Sequence, residues 1–79
     1  MDELQVGQAV CVVTAPLYWK TADPMPMLRP PDTVAVGEVG TVVDRRPAGY
    51  WAVRFNRGVF LVESRHLAAA DSATDSPQP

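Results

Sequence analysis

Seventy-nine residues, 47% of them hydrophobic, make a single small domain with room for only a modest core. A lone cysteine, Cys11, excludes an internal disulfide and a cysteine-built zinc site, and the lone histidine, His66, has no second ligand at metal-binding spacing. A net charge of −2 is unlike a general nucleic-acid binder, and no apolar run nears the ~20 residues that span a bilayer.

The N-terminus, Met1-Asp2-Glu3-Leu4, is acidic where a secretory signal is basic, so a cytoplasmic protein is expected. Gln8 to Thr14 is small and β-branched, too short for a helix, and reads as a strand buried on both faces or nearly so. Cys11 inside it is expected to be inert packing. Residues 15–33 then hold five of the eight prolines together with Leu17, Tyr18, Trp19, Met25, Met27 and Leu28. Proline excludes a helix or central strand there, and the apolar content excludes a disordered linker. The segment is expected to be a long irregular loop that serves as a recognition surface, with Leu17 and Leu28 turned into the core.

Val34 to Asp44 reads as a strand bent at Gly37 and Gly40. Pro47-Ala48-Gly49 is a turn. From Tyr50 to Phe55 the pattern alternates: Trp51, Val53 and Phe55 face the core, and Tyr50, Ala52 and Arg54 face the other way. Asn56-Arg57-Gly58 connects to a partner strand, Val59 to Val62. Ser64 caps a helical turn through Leu67, which plugs one end of the core. Short strands, tight turns and glycine bends predict an all-β fold, a small SH3-like barrel over residues 1–70, with 71–79 a disordered tail.

Charge divides along the chain. Residues 1–43 balance to −3, whereas residues 44–70, with Arg45, Arg46, Arg54, Arg57 and Arg65 against Asp44 and Glu63, balance to +3. The arginines form a candidate patch for an acidic partner surface. No nucleophile–base arrangement, phosphate-cradling loop or carboxylate pair is evident, so neither catalysis nor a cofactor is expected. A proline-peptide binder would rest on fold alone, since the chain's own prolines show no PxxP spacing.

The run Lys20-Thr21-Ala22-Asp23-Pro24-Met25-Pro26-Met27-Leu28-Arg29-Pro30-Pro31-Asp32 is followed by Gly37-Glu38-x-Gly40, Arg46-Pro47-x-Gly49-Tyr50-Trp51-x-Val53-Arg54-Phe55 and Gly58-x-Phe60-Leu61. Over residues 4–68 this resembles the cyanobacterial regulatory protein SipA family. The resemblance implies a non-enzymatic SH3-like adaptor, monomeric when free, that binds the sensor histidine kinase NblS near its ATP-binding domain and modulates two-component signalling in stress and light acclimation. The expected contact residues are Tyr18, Trp19, Lys20, Met25, Met27, Arg29, Arg46, Tyr50 and Arg54. Trp19→Ala is accordingly expected to weaken partner binding by more than about tenfold without moving the thermal midpoint. Two rivals share the architecture: a ferredoxin-docking subunit of a photosynthetic complex, and a KOW-like RNA or ribosome binder. Neither a membrane nor nucleic acid is expected as partner.

Overall fold

Short β-branched and aromatic runs separated by glycine and proline give seven strands in the computed structural model, which describes residues 4–70. They are β1 (Ala9–Val12), β2 (Trp19–Thr21), β3 (Leu28–Arg29), β4 (Val39–Arg45), β5 (Tyr50–Phe55), β6 (Gly58–Glu63) and β7 (Leu67–Ala69). All pairings are antiparallel, in the order β3-β2-β6-β5-β4-β1-β7, and the sheet is not closed. Three 3-10 turns, Pro31–Thr33, Pro47–Gly49 and Ser64–His66, link the strands. The tail expected at 71–79 lies outside the described residues.

The proline segment is not an irregular loop. Residues 19–21 and 28–29 contain no proline, and they pair as a hairpin, Trp19 opposite Arg29 and Lys20 opposite Leu28, while β2 also joins β6 through Lys20 and Leu61. The prolines flank these strands instead of interrupting them. β3 is one sheet edge and β7 the other, and at β3 the antiparallel alternation turns the N–H and C=O of Leu28 away from β2. The neighbouring positions of the same phase are Pro26 and Pro30, which have no N–H. The edge therefore offers a single donor, which blunts pairing with another strand.

The inner faces gather Val10 and Val12 of β1, Trp19 of β2, Val42 of β4, Trp51, Val53 and Phe55 of β5, Phe60 and Val62 of β6 and Leu67 of β7 into one core with Leu4 and Val34. Trp51, Val53 and Phe55 point inward as the alternation predicts. Trp19, expected at a partner surface, is wholly buried instead. Its indole meets Phe55 and Phe60 edge-on with centroids 5.7 Å away in both cases, and its Nε1–H donates to the Pro31 carbonyl at 2.9 Å. Leu17 and Leu28 correct the expectation in the opposite sense: they are 83% and 59% exposed. In a hairpin, Trp19 and the pair Tyr18 and Lys20 must face opposite ways, and the largest side chain takes the core.

Smaller corrections follow from the same geometry. β1 buries only Val10 and Val12, while Ala9 and Cys11 are half-buried, so the strand is not covered on both faces. β4 starts at Val39, not Val34, because Gly37 sits at φ +95° in the preceding turn. The irregularity in its pairing falls at Val43, where the register shifts between Val42 and Asp44. The turn at Ser64–His66 has no side-chain cap. Its position is fixed instead by the Thr14 hydroxyl against His66 Nδ1 at 2.8 Å, and the next residue, Leu67, is buried on β7.

Candidate functional site

Alternation along four strands places a second set of side chains on the outer face. Tyr18 precedes β2 in the same phase as Lys20; Lys20 stands beside Leu28 of β3 and Leu61 of β6; Leu61 is opposite Ala52, and Glu63 is opposite Tyr50. Pro16, Tyr18, Lys20, Leu28, Tyr50, Leu61 and Glu63 enclose a cleft of about 130 Å³. It continues into a shallower depression lined by Ala15, Leu17, Arg65 and His66. That depression measures about 380 Å³, within the ~300–1,000 Å³ usual for small-molecule sites, and the cleft itself is smaller. It is close to the ~150 Å³ cavity that accepts a benzene ring, enough for one aliphatic or ring side chain.

The rim has a defined polarity. Arg65 Nε donates to Glu63 Oε1 at 3.0 Å, and His66 Nε2 lies 3.8 Å from the same oxygen. Lys20 has no ion-pair partner among the described residues, and the Tyr18 and Tyr50 hydroxyls have no hydrogen-bond partner among them. The cleft thus carries a carboxylate paired with Arg65 and an ammonium that has no ion-pair partner among the described residues.

Of the nine expected contact residues, the structure brings Tyr18, Lys20 and Tyr50 together. Met25 and Met27 are exposed in the β2–β3 connection, and Arg29 lies exposed on the edge strand. Arg46 pairs with Asp44 at 3.2 Å, and its N–H donates to the Tyr50 carbonyl at 3.0 Å, which anchors the start of β5. Arg54 is on the same outer face but a row away, between Thr41 and Val59. The basic residues 45, 46, 54, 57 and 65 are therefore spread over β4, β5, the β5–β6 turn and the last 3-10 turn, and two of them, Arg46 and Arg65, are engaged by Asp44 and Glu63. Trp19 is wholly buried and not on this face. Sequence reasoning missed Pro16, Leu28, Leu61 and Glu63. For Leu61 and Glu63 the signal was present, since β6 alternates in register with β5; for Leu28 it required knowing the hairpin.

The fold and this face define a small all-β domain with an aromatic and aliphatic outer surface. Residues 6–67 match the family model described as Protein CHLORORESPIRATORY REDUCTION 42-like, and the chain belongs to that family. It is similar to Protein CHLORORESPIRATORY REDUCTION 42, chloroplastic, of Arabidopsis thaliana, with 40% identity over 71 residues covering 89% of this chain. The chain spans 59% of that relative's length. No solved structure matches it.

These findings overturn the expected kinship with the SipA family, and with it the NblS-type kinase partner and the two-component signalling role. The same findings give no support to ferredoxin docking. The cytoplasmic placement is overturned as well, because the matching relative is chloroplastic by name. Glycine-bent strands and aromatic alternation are demands of any small curled sheet, so they do not tell one family of such sheets from another.

Proposed function

We propose that this protein is a non-enzymatic docking module that serves chlororespiratory reduction, the process named in its relative, by binding a protein component of that process through the outer face of β2, β3, β5 and β6. The carrying observation is the exposure of Tyr18 and Leu28 at the cleft and of Leu17 in the adjoining depression, large apolar side chains of a kind that a partner covers. Membership of the family supports the choice of process. We read the architecture, a strand, a hairpin-bearing connection, a three-strand meander, a 3-10 turn and a last strand, as an SH3-like barrel left open at β3. The non-enzymatic reading is supported by a trio among the described residues that resembles a catalytic relay. Thr14 and His66 are in contact, but His66 and Glu63 are 3.8 Å apart, beyond hydrogen-bond reach, and the carboxylate is engaged by Arg65.

The test is a Leu17→Ser/Leu28→Ser chain. Both side chains are exposed, so its thermal midpoint is expected to stay within about 4 °C, the shift expected from less than ~1 kcal/mol in a domain this size. The same chain is expected to fail to restore chlororespiratory reduction in cells lacking the protein. Full restoration would sink the proposal.

A further inference from the structure

We infer that the partner meets this face with an acidic protein surface, setting carboxylates against Lys20 and Arg54, a deepening that rests on the docking reading above. Both side chains are exposed and belong to the same outer face. Lys20 is opposite Leu61, Leu61 is opposite Ala52, and Arg54 follows Ala52 in the same phase of β5. Two strand spacings of ~4.8 Å and a two-residue step of ~6.8 Å place them about 12 Å apart along the sheet, with Leu61 and Val59 of β6 between them.

The sheet itself has no use for either charge. Lysine and arginine often guard an edge strand against pairing, but β2 and β5 both lie inside the strand order. An opposite charge across the ladder would stabilise a cation on an inner strand. The cross-strand neighbours are instead Leu28 and Leu61 for Lys20, and Thr41 and Val59 for Arg54. Neither cation has an ion-pair partner among the described residues. Two carboxylates of the same face are already engaged, Asp44 by Arg46 and Glu63 by Arg65. A chain of net charge −2 therefore turns uncompensated positive charge outward at this face.

The number and spacing of the cations select a protein over other anions. Nucleic-acid binders draw on roughly 6–10 phosphate contacts, and attachment to an anionic membrane draws on clusters of about 4–8 Lys or Arg. Two cations on either side of Leu61 and Val59, beside the exposed Tyr18 and Leu28, match a smaller footprint: an apolar centre flanked by carboxylates.

The experiment uses the full chain carrying the photocrosslinker p-benzoylphenylalanine at position 18, in its own cells in place of the natural protein. Lys20→Glu/Arg54→Glu is expected to lower the yield of the crosslinked protein at least tenfold. Lys20→Gln/Arg54→Gln, which removes the charges without reversing them, is expected to lower it several-fold and covers the case in which reversal disturbs folding. Arg29→Glu/Arg57→Glu makes the same change in net charge in the opposite phase of β3 and in the β5–β6 turn, and is expected to leave the yield unchanged. A yield that survives Lys20→Glu/Arg54→Glu, or that falls equally in the two charge-reversed chains, overturns the inference. So does binding of a fluorescein-labelled RNA of about twenty nucleotides at about 0.15 M salt that is lost in Lys20→Glu/Arg54→Glu, since the cations would then serve phosphate. If Lys20→Glu/Arg54→Glu restores chlororespiratory reduction while Leu17→Ser/Leu28→Ser does not, the docking module stands and its partner is not acidic. Absence of any crosslink from the chain altered only at position 18 defeats the docking reading itself, and the inference with it.

Discussion

Trp19→Ala is expected to remove most of this domain's stability. A buried Trp or Phe replaced by Ala typically destabilises by about 3–5 kcal/mol, and the two edge-on ring contacts with Phe55 and Phe60 add to that. The Pro31 carbonyl also loses the indole N–H that satisfies it. Whole-domain stabilities are roughly 5–15 kcal/mol, and a domain this small belongs at the low end. Even at the mild limit the thermal midpoint is expected to fall by more than about 12 °C. Trp19→Phe, which retains an aromatic ring but no donor, is expected to fall between the two. A midpoint for Trp19→Ala within a few degrees of the wild type would mean that the indole is not the keystone of this core.

Gly40→Ala is the second large effect, and it arises from crowding. A Cβ on Gly40 would lie 2.7 Å from the Arg54 carbonyl oxygen and 2.7 Å from Cδ1 of Phe55. One of these neighbours is backbone in the β4–β5 ladder, and the other is a core ring, so neither yields cheaply. Overpacking of this kind destabilises by about 1–3 kcal/mol, a fall in midpoint of roughly 4 °C or more. Gly37 provides a contrast, since a Cβ there meets nothing within 4 Å and only the φ of +95° resists substitution. Urea titration of Gly40→Ala checks this; an unchanged unfolding midpoint would contradict the close approach.

The β5–β6 hairpin was readable from the chain because its alternation is clean and its turn is two residues long. That is why Trp51, Val53 and Phe55 were placed inside, and Tyr50 and Arg54 outside. The hairpin of β2 and β3 was hidden because each strand is only two or three residues long, below the length at which periodicity is visible. Prolines around such short strands look the same whether they break a strand or guard its edge. Trp19 and the leucines were consequently exchanged in the reading: an aromatic in a proline-rich stretch suggests an interface, but β2 pairing to β6 turns that side chain inward. Half of the cleft followed from this error, since Leu28 reaches it only through Lys20 across the hairpin. The kinship was misread for a different reason: the motifs relied on describe how a small sheet bends, and unrelated families share that requirement.

The claim on which the functional account depends is that a partner protein covers the Tyr18 face. A photocrosslinking side chain, p-benzoylphenylalanine, placed at position 18 of the full chain in its own cells addresses this directly, with position 36 as the exposed control away from the cleft. The account predicts one defined crosslinked species from position 18, containing a protein of chlororespiratory reduction, and none from position 36. Capture from position 36 alone, or from neither, would contradict it.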